Sequence, residues 1–71
     1  MIHLSMIHRN GYEAHVRTTA KNAVAAVEAF GTDAALWIER YEKDGDSIRL
    51  VEDKFFDFSQ VMRIEISGID N

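Results

Sequence analysis

Two alternating segments separated by Arg9-Asn10-Gly11 constrain this chain more than any other feature of its sequence. In IHLSMIH, residues 2–8, Ile2, Leu4 and Met6 share one side; in YEAHVR, residues 12–17, Tyr12, Ala14 and Val16 do the same. Period-two alternation marks a half-buried strand, and Asn-Gly between two such runs marks a hairpin. A two-residue loop would set Met6 opposite His15 and Leu4 opposite Arg17, mixing the faces. A three-residue loop with Gly11 in the left-handed region sets Met6 against Ala14, Leu4 against Val16 and His8 against Tyr12. A slip of one residue turns every side chain over, so the register that keeps the apolar set together is expected.

The period changes in TTAKNAVAAVEAF, residues 18–30. Ala20, Ala23, Val24, Val27 and Phe30 follow helical spacing and are expected to face inward, with Lys21, Asn22 and Glu28 on the wet side. Thr18 or Thr19 supplies an N-cap, and Gly31 stands where a left-handed C-terminal cap belongs. The alanines of this segment let the helix lie close on a sheet.

ALWIERYE (35–42) and SIRLVE (47–52) read as two further strands around Lys43-Asp44-Gly45-Asp46. A calcium loop needs alternating acids, a central glycine and a bidentate glutamate six residues later, and Asp44-Gly45-Asp46 lacks that spacing. A turn explains it: Lys43 and Asp44 turn and Gly45 takes positive φ. That register sets Ile38 opposite Leu50, Arg40 opposite Ile48, Glu39 opposite Arg49 and Trp37 opposite Val51. A shift of one would oppose Arg40 to Arg49, a like-charge pair. In KFFDFSQ, residues 54–60, Phe55, Phe56 and Phe58 are expected to close the end of the core, with one of them as an exposed anchor for a partner as the alternative. VMRIEIS, residues 61–67, alternates again with Met62, Ile64 and Ile66 inward, and 68–71 reads as a tail.

The expected architecture is α+β: a five-stranded antiparallel sheet with one helix packed on one face, in the order β-β-α-β-β-β, over a single compact domain spanning 1–71. Leu36, Ile38, Ile48 and Leu50 join the inward set. The outward face then carries His3, Ser5, Ile7, Glu13, His15, Arg17, Trp37, Glu39, Tyr41, Arg49, Val51, Val61, Arg63 and Glu65. At 71 residues the chain has room for one thin core and little volume for a deep pocket. It has no cysteine, which suits a reducing cytoplasm and excludes disulfides and thiolate metal sites. No apolar run is long enough for a helical membrane span.

Charge is unevenly distributed within a net of −4: residues 1–31 carry +1, while residues 32–71 set ten acids against five bases. Acidity of this kind repels nucleic acid and favours basic partners. Trp37 and Tyr41 flank Glu39, and Trp and Tyr are frequent interface anchors. The glycine-aromatic signature of RNA-binding sheets is missing. His3 and His15 fall diagonally on the outward face beside Ser5. Two imidazoles without a third ligand do not define a zinc site, and a Ser–His pair without an orienting acid or oxyanion hole does not define a hydrolase. No cofactor motif is present.

In size, element order and acidity the chain resembles small phage or mobile-element accessory proteins of the anti-CRISPR type. That resemblance implies a non-enzymatic inhibitor that occupies a partner's surface, often one that holds nucleic acid. The contact surface expected for a basic protein partner is Glu39, Glu42, Asp44, Asp46, Glu52, Asp53 and Asp57, with Trp37 and Tyr41 as apolar anchors. The alternative is a self-assembling homodimer that pairs through the open sheet face or an edge strand.

Overall fold

In the computed structural model, which describes residues 1–68, β1 (Ile2–His8) and β2 (Glu13–Thr18) form the expected hairpin in the expected register, with Leu4 opposite Val16 and Met6 opposite Ala14. The His8 N–H donates to Tyr12 O at 2.8 Å, the Gly11 N–H donates to His8 O at 2.9 Å, and Gly11 has φ 89°. This backbone conformation favours glycine. The turn is pinned from outside as well, because Arg9 N–H donates to Gln60 O at 2.9 Å.

Helix α1 spans Ala20–Thr32, and Thr19 Oγ1 caps it by accepting the Asn22 N–H at 3.1 Å. Two helix expectations are corrected. Gly31 does not end the helix; Asp33 does, in the left-handed region at φ 57°, with its N–H donating to Ala29 O. Aspartate tolerates that region through local hydrogen bonding. Ala20, Val24 and Val27 do not face inward either. The buried stripe is Ala23, Ala26 and Ala29, and both valines are exposed. An alanine face lets the helix axis approach the sheet closely, which turns the neighbouring valines outward.

The fold is α+β with one helix and antiparallel strand pairs, but the single five-stranded sheet is corrected to two sheets. β5 (Val61–Gly68) pairs with β1, giving a three-stranded sheet in the order β2-β1-β5. Among the described residues β3 (Ala35–Asp44) and β4 (Ser47–Asp57) share a backbone ladder only with each other. β3 lies against β2 without a shared ladder. Side chains hold the base of this hairpin instead: Ile38 and Phe56 are buried in the common core with Leu4, Met6, Val16, Phe58 and Val61, and Leu36 packs against it. A short 3-10 turn, η1 (Phe58–Gln60), links β4 to β5, and its Phe58 N–H donates to Ala34 O at 3.0 Å.

The second hairpin's register is corrected too. The loop is two residues, Gly45-Asp46, closed by Asp44 opposite Ser47, with Gly45 at φ 63°. A bulge between Arg40 and Tyr41 leaves Val51 without a partner. The pairs that follow are Trp37–Phe55, Ile38–Lys54, Glu39–Asp53 and Arg40–Glu52. Strand β4 runs on through Lys54–Asp57, so Phe55 is exposed while Phe56 and Phe58 are buried as core closure requires. Five more residues expected inward, Tyr12, Ile48, Leu50, Met62 and Ile66, are exposed, and Val61, expected outward, is buried in the core. Gly68, expected to begin a tail, still belongs to β5; the rest of that expectation lies outside the described residues. Among the described residues no helix is long and apolar enough to cross a membrane.

Candidate protein-contact surface

The β3–β4 hairpin is an arm. Every residue from Lys43 to Leu50 is exposed, and the chain extends 35 Å along its longest axis against 20 and 19 Å across. Alternation along each strand sorts the arm's side chains into two faces.

One face is an ion-pair lattice. Arg40 Nη1 lies 2.8 Å from Glu42 Oε2, and Arg40 Nη2 lies 2.7 Å from Glu52 Oε2. Arg49 reaches Glu42 at 3.9 Å and Asp44 at 4.0 Å. Bonds to Glu42 and then Glu52 hold the Arg40 guanidinium above its ordinary value, and the same Arg40 bond holds the Glu42 carboxyl below its own. Glu42, Asp44 and Glu52, expected as partner contacts, thus already have cations beside them.

The other face is apolar and acidic along most of its length, with Lys43 opposite Ile48 at its outer end. Trp37 and Phe55 are opposite each other and 64% and 55% exposed, with ring centroids 5.3 Å apart at 60°. Further out, Tyr41 is opposite Leu50, which is 50% exposed, and Ile48 follows. Between these two apolar pairs Glu39 stands directly opposite Asp53. Two carboxylates in facing cross-strand positions repel each other. Glu39 Oε1 is held from two sides, accepting from Asn22 Nδ2 at 3.2 Å and from the Tyr41 hydroxyl at 3.1 Å. Partial burial first, then the Glu39 bond and the charge of Asp53, push the Tyr41 hydroxyl above its ordinary value.

Of the expected contact residues, this face brings together Trp37, Glu39, Tyr41 and Asp53. Asp46 lies at the exposed tip. Asp57, exposed at the end of β4, holds the start of η1. Its Oδ1 accepts from the Ser59 N–H at 3.0 Å and hydroxyl at 2.6 Å, which holds its carboxyl below the ordinary value. Sequence reasoning missed Leu50 as a member and did not single out Phe55 among the three phenylalanines. The available signal was the unbroken strand-like run from Ser47 through Asp57, whose parity returns Phe55 to the Trp37 side once Val51 is bulged out.

The open face of the three-stranded sheet carries a second cluster. His3 and His15 stack as their diagonal placement predicts, with centroids 5.1 Å apart at 14° and Nε2 of His3 3.0 Å from Nδ1 of His15. Ser5 Oγ lies 3.1 Å from the same Nδ1, and Glu13 Oε1 lies 3.0 Å from His15 Nε2. An acid does therefore orient His15, which corrects the sequence expectation; Glu13 and His15 are two residues apart on one strand and share its face. Nδ1 of His15 carries either one proton or one lone pair, so Ser5 and His3 compete for it. β1 is the central strand, and its N–H groups belong to ladders on both sides rather than to an oxyanion hole. Among the described residues no group of three or more His, Cys, Asp and Glu side chains is arranged to hold a metal ion.

The chain matches no protein-family model, no curated protein and no solved structure.

Proposed function

We propose that this chain is a non-enzymatic protein-binding module whose arm grips a basic side chain on a larger partner and blocks the surface around it. The observation that carries the reading is the facing Glu39–Asp53 pair framed by exposed Trp37 and Phe55. A guanidinium or ammonium entering between the two carboxylates relieves their repulsion and forms charge-assisted hydrogen bonds. The neighbouring aromatic rings add cation–π attraction and apolar contact. Asp46 at the tip adds negative charge, while Asp44 stands beside Arg49. Proteins that hold nucleic acid present such surfaces, so inhibition by occupying one, as in the anti-CRISPR type of accessory protein, is the mode of action we assign. Direct nucleic-acid binding is disfavoured by like charge. The cytoplasm is the setting that suits a cysteine-free chain.

Trp37 is the only tryptophan, so its fluorescence reports directly on the surface. Titration with an arginine-rich peptide should shift that emission, and the affinity should fall as salt rises. Asp53→Lys should weaken binding by about tenfold or more, because it replaces one carboxylate by a like charge beside the incoming cation. An equal response to an acidic peptide, or affinity indifferent to both salt and Asp53→Lys, would overturn the reading.

A further inference from the structure

A different surface, independent of the arm, carries its own pattern. β5 is an edge strand of the three-stranded sheet, and among the described residues nothing pairs with its outer side. Natural edges are blunted by proline, lysine, inward-pointing charges or bulges. From Arg63 to Gly68 β5 has none of these; its single register shift lies at its start, where His8 is opposite Val61. Beside it, α1 and β5 frame an apolar groove of about 330 Å³ lined by Ile2, Ala23, Val24, Val27 and Ile66. Val24 is 58% and Ile66 46% exposed.

The sequence of β5 is complementary to itself. Ile64 and Ile66 lie opposite Met6 and Leu4 and so face the helix side, while Arg63 and Glu65 face the other side. We infer that β5 pairs antiparallel with β5 of a second copy of this chain, about a twofold axis at Ile64. That register sets Arg63 opposite Glu65 of the second copy, and Glu65 opposite its Arg63. It also keeps both helices on one side, where Val24 and Val27 flank the seam. The neighbouring registers fail: a shift of two opposes Arg63 to Arg63 or Glu65 to Glu65, and a shift of one puts the helices on opposite sides. Within one chain Arg63 Nη2 lies 3.2 Å from Glu65 Oε1, so pairing joins two such bridges into a four-membered network. The occupant is a second copy because a twofold axis requires one strand to complement itself, and this one does.

Sedimentation equilibrium from micromolar to millimolar concentration tests it. The native chain should show a concentration-dependent dimer. Glu65→Arg and Arg63→Glu, both at exposed positions, should each raise the dissociation constant by about tenfold or more without changing the circular dichroism. The double exchange R63E/E65R should restore dimerisation, and Trp37→Ala should leave it unchanged. A native mass of one chain throughout, single reversals without effect, failure of the double exchange to restore, or loss of the dimer in Trp37→Ala would each overturn the inference.

Discussion

The body of this protein and its arm are written in the same strand alphabet but bury opposite things. In the body, β1 and β2 turn Leu4, Met6, Ala14 and Val16 toward the helix and leave Glu13 and His15 exposed on the other side. In the arm only Ile38 and Phe56 at the base reach full burial; beyond them the apolar residues Leu50 and Ile48 stay exposed and Arg40 is enclosed by carboxylates. Alternation therefore reports where a core lies only if a core lies beside the strand. Where the strand pair leaves the body, the same alternation builds a two-faced surface.

Truncating the body should cost far more than truncating the arm. Phe58 is fully buried, and Phe58→Ala should lower stability by about 3–5 kcal/mol, enough to unfold a domain of this size. Trp37→Ala should cost about 1 kcal/mol, the scale of an exposed aromatic pair. Urea unfolding of both variants decides it; equal losses would mean that the arm is part of the core.

The two turn glycines sharpen the contrast. Gly11→Ala and Gly45→Ala each place a Cβ in the left-handed region, at φ 89° and 63°, at about 1–2 kcal/mol. The Gly11 change should shift the global unfolding midpoint. The Gly45 change should instead raise amide exchange across Tyr41–Leu50 with little shift of the midpoint. Thr19→Ala removes the helix cap and should cost about 1 kcal/mol in the body, read as a lowered melting temperature.

The smallest effect is acid sensitivity of the arm. Glu42 and Asp57 are held below their ordinary values of 4.5 and 3.8, so the folded state binds their protons less readily than the unfolded chain does. Their stabilisation is complete above those values and is lost as pH falls through the lower folded ones. Carboxyl NMR titration should show both midpoints depressed, and Arg40→Gln should return Glu42 toward 4.5 while leaving Asp57 in place.

The first hairpin is legible in the sequence because turn chemistry and alternation agree on one register. The second misleads, because keeping Leu50 with Ile38 and Arg40 away from Arg49 assumes that the whole hairpin lines a core. A two-residue loop and the unpaired Val51 satisfy the charges differently, setting Arg40 against Glu52. Of the contact surface, Trp37, Glu39, Tyr41 and Asp53 are visible in the sequence. Phe55 is hidden because a run of phenylalanines reads as core, and strand parity alone separates it from Phe56. Whether β3 joins β2 in a ladder is a matter of long-range placement, to which local periodicity is silent.

The missing ladder between β3 and β2 has a practical consequence. Among the described residues the arm outside Ile38 and Lys54 shares no backbone ladder with the rest; besides its two chain crossings the Asn22–Glu39 hydrogen bond ties it near the base, so the part beyond Arg40 and Glu52 can be exchanged like a tool head on a fixed handle. Another hairpin of matching length, spliced between residues 40 and 52, should be carried by the same scaffold, and the grip could be re-specified without redesigning what holds it.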